Sequence, residues 1–226
     1  MLAETLGLPV SVASHVDAMA GAELLLGVRR QPTQSSTSLY VYARETVGYA
    51  LSIGGRVHSP ASGPGTIAAL PAHSELLGGS GQLESTVSDE AVLVAARKAR
   101  IIPADGPAST VTAVLRSARQ GNQQARALLA ERARVLGEAV ALLRDMLNPD
   151  DLVVGGQAFT EYPEGMSLVV AAYTERSVLP ARDIRVTAFG NRVQEAGAGV
   201  VSLGGLYSDP IGAMRRAQSR RPEATA

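Results

Sequence analysis

The chain has 226 residues, 46% of them hydrophobic, enough for a core that buries roughly 70% of the unfolded surface. Lys plus Arg and Asp plus Glu both number 21, so the net charge is zero and nothing in it favours nucleic acid, whose phosphates select basic surfaces. Cysteine is absent, which excludes disulfides, thiolate metal sites and cysteine nucleophiles.

The first residues, Met1 to Pro9, lack a basic segment followed by an apolar run, so no signal peptide is expected. No apolar run approaches the ~20 residues of a membrane span. The expectation is a soluble, cytoplasmic protein of one domain or two small lobes.

Pro9 to Val12 reads as a short strand. Asp17 to Leu26 has apolar spacing suited to a helix that stops at Gly27. Arg29 to Ser38 is polar and reads as a loop. Leu39 to Ala43 and Val47 to Ile53 are rich in Val, Tyr, Leu and Ile and read as two strands; Gly54-Gly55 turns the second into a third at Arg56 to His58. Ser59 to Gly65 carries Pro60, Gly63, Pro64 and Gly65 and must be irregular.

From Ser88 the period changes. Ser88 is placed to cap a helix running to about Ala99, and Ala104 to Ser109 is a break. Val111 to Ala118 is a further helix. Gln123 to Leu147 is the strongest periodic segment, with Leu128, Leu129, Val135, Leu136, Val140, Leu143 and Leu147 on one face; Asn148-Pro149 ends it. Asp151 to Val154 is a buried-type strand meeting Gly155-Gly156. Met166 to Tyr173 reads as helix, Ile184 to Ala188 as strand and Ala196 to Leu206 as an apolar, Gly-rich helix. Residues 213–226 form a basic tail expected to be disordered. Alternation on this scale argues for an α/β lobe.

The stretch Glu75-Leu76-Leu77-Gly78-Gly79-Ser80-Gly81-Gln82-Leu83-Glu84 resembles a C-x-C-G-x-x-G-C-x-E signature with every cysteine replaced, at Glu75, Leu77 and Gln82. That signature belongs to the ROK family of repressors, open reading frames and sugar kinases. Five further stretches resemble the family in order. Pro9-Val10-Ser11-Val12-Ala13-Ser14-His15-Val16-Asp17-Ala18 is similar to the strand-to-helix segment V-E-N-D-A-N-A, and Gly65 to Pro71 to G-E-I-G-H-L-P. Leu147 to Gly156 is similar to L-N-P-E-x-I-V-L-G-G, and Glu195 to Gly199 to the closing A-x-x-G-A-A; Gly55-Arg56-Val57 resembles the D-G-R-L hairpin.

The resemblance implies an α/β lobe of the actin-like ATPase (ribonuclease H-like) type with flanking helices, partial because the family's first phosphate loop and any helix-turn-helix are missing. It places His15 where family kinases carry the catalytic Asp, with Ala13 and Ser14 in place of the neighbouring Glu and Asn. Asp17 falls at the second Asn. His15 could act as a base, or both residues could simply be polar groups at a helix N-terminus, Asp17 being favoured by the dipole. The second phosphate loop, G-T-G-I-G-G-G, reads Arg44-Glu45-Thr46-Val47-Gly48-Tyr49-Ala50 and keeps only Gly48. Glu45 sets an anion where a phosphate would lie, and the alternative is that Arg44 holds a phosphate by itself. The sugar ligands of the family correspond to Thr66, Ala69 and Glu84, of which only Glu84 keeps its charge; it could equally cap a turn or pair with an Arg. Gly155 and Gly156 stand where family kinases face adenosine, although a tight strand-to-helix turn needs glycine anyway.

Residues 1–212 are therefore expected to be the effector-binding or oligomerisation part of a ROK-type transcriptional regulator, without catalysis, metal or cofactor. The alternatives are a sugar kinase with a divergent site and a ligand-free dimerising relic. The expected partners are a second copy of the chain and a sugar-like effector, with DNA contacted only through a domain absent here and no membrane. Met166 to Tyr173 and Ala196 to Leu206 are the candidate pairing helices.

Overall fold

The computed structural model describes residues 2–7, 10–27, 36–61, 63 and 65–219. A short helix α1 (Leu2–Leu6) precedes α2 (His15–Leu26), and three strands follow: β1 (Thr37–Ala43), β2 (Val47–Ile53) and β3 (Arg56–Val57). Four helices come next: α3 (Leu83–Val87), α4 (Asp89–Lys98), α5 (Val111–Arg119) and α6 (Gln123–Leu147). Then come β4 (Asp151–Gly155), α7 (Gln157–Thr160), α8 (Met166–Arg176), β5 (Ile184–Val186), α9 (Val193–Ser208) and α10 (Pro210–Ser219). Two single 3₁₀ turns, Pro163–Gly165 and Gly190–Arg192, lead into α8 and α9.

The five strands form one sheet in the order β3-β2-β1-β4-β5. β1, β2 and β3 are antiparallel, whereas β4 lies parallel to β1 and β5 parallel to β4. This is the ribonuclease H-like sheet of an actin-like ATPase lobe. Side chains alternate across a strand, and here both faces are covered. Leu39, Val41 and Ala43 of β1 and Leu152 and Val154 of β4 join α6 and α8 in one core cluster. Tyr40, Tyr42 and Val153 face the other way, onto Val16, Met19 and Ala20 of α2 and Val193 of α9. A third cluster gathers α4, α5 and the first half of α6.

The strongest sequence pattern gives the longest element. α6 spans 25 residues, about 37 Å at 1.5 Å per residue. Asn122 caps it, accepting from the Ala125 N–H at 3.0 Å, an interaction worth about 1 kcal/mol. Asn148 ends it in the left-handed conformation (φ 42°) that Asn tolerates better than most residues. Ser88 caps α4 as expected, accepting from Ala91 N at 3.3 Å.

Three expectations need correction. The strand expected at Pro9 to Val12 is not formed: residues 10–12 pair with no strand among the described residues, and Pro9 lies outside them. β5 ends at Val186; Thr187 N still donates to Val154 O at 2.8 Å, but the Thr187 hydroxyl and Ala188 N bind Glu23. The first half of the expected disordered tail is helical: Asp209 accepts from Gly212 N at 2.9 Å and α10 continues to Ser219. Residues 220–226 lie outside the described residues. The helix α3, too short to announce itself by period, was not expected.

Glu23 is the unusual core residue, a carboxylate only 4% exposed. Its Oε1 accepts from Thr187 Oγ1 and from Ala188 N, tying α2 to the segment after β5. Burial, and then the Glu23 charge, push the neighbouring Tyr40 hydroxyl above its ordinary pKa.

Candidate functional site

Parallel pairing of β1 with β4 sets Tyr42 beside Gly155 at the carboxyl ends of both strands. Ligands of open α/β sheets sit in the crevice outside those ends. A cleft of about 250 Å³ opens there, lined by Tyr42 and Arg44 of β1 and the turn after it, by Gly156, Gln157 and Glu161 around α7, and by Asn191 and Gln194 from the start of α9. Gly156 makes the turn with φ 92°, a conformation side chains rarely adopt, and a Cβ there would strike the Ala43 carbonyl. Gly155 lies against the Tyr40 ring and does not line the cleft.

Glu161 organises one wall. Its carboxylate accepts from Gln157 Nε2 at 2.7 Å and from Asn191 Nδ2 at 2.6 Å. Gln194 Nε2 donates to the Tyr42 hydroxyl at 3.3 Å. Burial raises the pKa of Tyr42, opposed by the nearby Arg44 charge, so it stays a phenol near neutrality. Arg44 is half-buried, and its Nε is fully buried with no hydrogen-bond partner.

A second cleft, about 280 Å³, lies between α2 and α9 and is lined by Ser11, Ala13, His15, Ala18, Gln194 and Val201 among others. His15 is exposed at the first position of α2, with its ring edge-on to Tyr42 at 5.3 Å. Tyr42 and Gln194 thus stand between the two clefts.

The structure brings His15 and Gly156 to this neighbourhood, but not Asp17, Thr66 or Glu84. Asp17 Oδ2 accepts from Ser59 Oγ at 2.9 Å, and its N–H is held by the Ser14 cap at 3.4 Å. Thr66 Oγ1 accepts from Ala68 N at 3.1 Å, and Thr66 bridges Gly48. Glu84 Oε2 accepts from Val47 N at 3.1 Å, a bond to a strand amide and not the turn cap or Arg pair raised for it. Gly48 sits inside β2 opposite Tyr42. Sequence reasoning missed Tyr42, Gln157, Asn191 and Gln194. They lie on three separate segments that only the β1–β4 pairing assembles.

The cysteine-free loop is built as a turn. Gly78 (φ 72°) and Gly81 (φ 84°) take positive φ with open space around them, so conformation alone asks for glycine. Ala72 N donates to Gly81 O at 3.0 Å and Leu83 N to Leu70 O at 2.8 Å. Leu77 is buried among Val92, Val114, Leu115 and Leu128, while Glu75 and Gln82 are exposed.

Comparison with known proteins follows the same lines. The ROK family model matches residues 1–203. The chain belongs to the ROK family. Transcriptional regulators of Mycobacterium tuberculosis and Mycobacterium bovis are 72% identical over 240 aligned positions, covering 100% of this chain and 55% of theirs. The chain therefore spans about half the length of the curated relatives it matches. A ROK hexokinase from Thermus thermophilus superposes with a TM-score of 0.70 at 24% identity, covering 88% of this chain and 69% of the other. A ROK transcriptional regulator homologous to the Escherichia coli Mlc protein superposes at 0.68 with 20% identity, covering 88% and 53%.

Two groups that ROK membership implies can be tested on these residues. Zinc does not fit the loop: a buried Leu replaces one thiolate, and the exposed Glu75 and Gln82 are poor substitutes for the others. Among the described residues no group of three or more His, Cys, Asp or Glu is arranged to hold a metal. A nucleoside triphosphate fits no better at the second phosphate loop, where Arg44, Thr46, Tyr49 and Ala50 replace glycines whose amides would meet phosphate oxygens and Glu45 adds an anion. No helix among the described residues is long and apolar enough to cross a membrane.

Proposed function

We propose that this chain is the non-catalytic, effector-binding and dimerising part of a ROK-family transcriptional regulator. The observation that carries the proposal is 72% identity to named transcriptional regulators along the whole chain. Phosphoryl transfer needs positioned amides, a metal and a base. Here Asp17 is engaged by Ser59 and Glu84 by a strand N–H, and the one group at the catalytic position is His15. DNA contact is assigned to a part of the regulator outside these residues, in keeping with the zero net charge.

Pairing is supported by apolar side chains left on the surface of α9 and α10: Leu203, Leu206, Ile211 and Met214 are 43–66% exposed. α8 also turns Leu168 and Val170 outward while its other face packs on α6.

A coupled assay with ATP, magnesium and a panel of hexoses and amino sugars tests the non-catalytic part. No turnover is expected; turnover that disappears in His15→Ala makes His15 a base and overturns the proposal. Light scattering at tens of micromolar tests pairing, and a clean monomer counts against it. Gel-shift titration with random duplex as competitor should find no specific binding by this chain.

A further inference from the structure

We propose that the cleft at the carboxyl ends of β1 and β4 binds a small hydroxylated carboxylic acid, with Arg44 as the partner of its carboxylate. The proposal rests on the regulator reading for its purpose and names the chemistry of the effector.

Tyr42 stands on β1 and Arg44 two residues on, in the turn that follows the strand. Both line the cleft. Each has donor capacity that the fold does not use. Arg44 Nε is buried without a partner, which costs stability, and the side chain, 39% exposed overall, reaches the cleft lining. Among the described residues its one ion-pair contact is Glu45 at 3.7 Å, whose side chain is 71% exposed, and such surface pairs are weak. Tyr42 accepts from Gln194 and keeps its own O–H to donate. A guanidinium and a phenol together offer the two converging donors that a carboxylate's two oxygens match.

The rest of the lining sets the remainder of the ligand. Glu161 takes one N–H from Gln157 and one from Asn191, which fixes both amides and leaves the Gln157 amide oxygen to accept from a hydroxyl. Glu161 also puts a carboxylate in the wall, and the exposed Glu45 stands 3.7 Å from Arg44. A phosphate dianion would meet two like charges for one Arg; a carboxylate monoanion meets the same pair with half the repulsion. At about 250 Å³ the cleft is below the roughly 300–1,000 Å³ of drug-sized sites, which suits a ligand smaller than a nucleotide.

The test is calorimetric and thermal-shift titration of the chain with gluconate, glucuronate and glycerate. Glucose serves as the neutral probe, glucose 6-phosphate as the phosphate probe and AMP as the nucleotide probe. At least one acid is expected to bind saturably and to raise Tm, with no response to glucose at the same concentration. Arg44→Gln, which keeps length and polarity, should weaken that acid at least about tenfold, and Tyr42→Phe a few-fold. The Tm of each variant without ligand shows that it folds. Binding of none of the acids overturns the proposal. So does tighter binding of glucose 6-phosphate or AMP, or acid binding that Arg44→Gln leaves unchanged. Binding is read without DNA, so loss of the regulator role leaves a positive ligand result standing, and failure of the acids leaves the regulator role standing.

Discussion

The segment from Thr66 to Ser88 and the cleft beside Tyr42 are both places where the ROK resemblance sets chemistry, and their polar groups are spent differently. In the first, Thr66 serves the Ala68 amide, Glu84 serves the Val47 amide and Leu77 has joined the core. In the second, the Arg44 Nε has no partner and Tyr42 keeps a free proton. Side-chain valence consumed by the fold is not available to a ligand. By that criterion the loop is framework and the cleft is the place where the proposed ligand finds unused donors.

Arg132 of α6 joins the two regions, and its loss should have the largest effect. Only 3% exposed, it donates from Nε to Val87 O at 2.7 Å, at the end of the loop segment. Its NH2 reaches Asp89 Oδ1 at 2.6 Å and, more weakly, Arg44 O at 3.4 Å beside the cleft. Arg132→Met leaves the Asp89 carboxylate and the Val87 carbonyl unpaired, while Arg44 O keeps the Asp89 amide, and should cost about 3–5 kcal/mol by urea unfolding. A cost below about 1 kcal/mol would show the two regions to be independent. Leu77→Ala comes next. It opens a cavity among α4, α5 and α6 and should cost roughly 2–5 kcal/mol, with acid binding at the cleft unchanged in the folded fraction. Metal analysis of the purified wild type is expected to find no zinc; one zinc per chain would return the loop to the family's chemistry.

The skeleton was largely legible because period and burial agree in it. α6 matches its expected span since one continuous apolar stripe runs its length, and β1 and β2 announce themselves through aromatic and branched residues buried on both faces. α3 was not legible: five residues carry no helical period, and its ends are set by the loop and by Ser88. Val10 to Val12 looked like a strand because branched residues favour extension, but a strand also needs a partner. The site was legible only where one segment carries it. Arg44 drew attention at the altered phosphate loop, whereas Gln157, Asn191 and Gln194 are ordinary surface amides until β4 brings them to β1.

Glu84→Ala should cost about 1–2 kcal/mol, the penalty for leaving the Val47 amide unpaired at the start of β2. If it also abolishes binding of a neutral sugar, the loop is a site after all. Glu131 gives a smaller, pH-dependent effect. Its hydrogen bonds from Arg134 lower its pKa most, helped by the loop hydroxyl of Ser74 and by His73. A depressed carboxyl contributes stability that is complete above the ordinary Glu value near ~4.3 and is lost as pH falls through the folded value. Arg134 is 41% exposed, so solvent screening keeps the contribution under about 1 kcal/mol. Glu131→Gln should flatten the acid limb of Tm against pH below about 4.3 and leave Tm near neutrality almost unchanged.

The smallest effect on stability is expected at Arg44, where the comparison is sharpest. A framework residue loses stability when truncated because its partners are left unpaired, as at Arg132. Arg44 has little to lose: its Nε has no partner and Glu45 stands 3.7 Å away in solvent. Arg44→Met keeps the aliphatic stem against the cleft wall and removes the buried, unpartnered N–H. The two changes offset, so ΔG of unfolding should stay within about 0.5 kcal/mol of wild type, with any difference towards greater stability. The turn itself is held by main-chain groups, Asp89 N donating to Arg44 O at 2.8 Å and Arg44 N to Thr46 O at 3.0 Å, and these survive the substitution. Urea unfolding of Arg44→Met beside Arg132→Met reads the contrast directly. A loss of more than about 1.5 kcal/mol at Arg44 would place its guanidinium in the framework with Arg132 and remove the reason to treat the cleft as a ligand site.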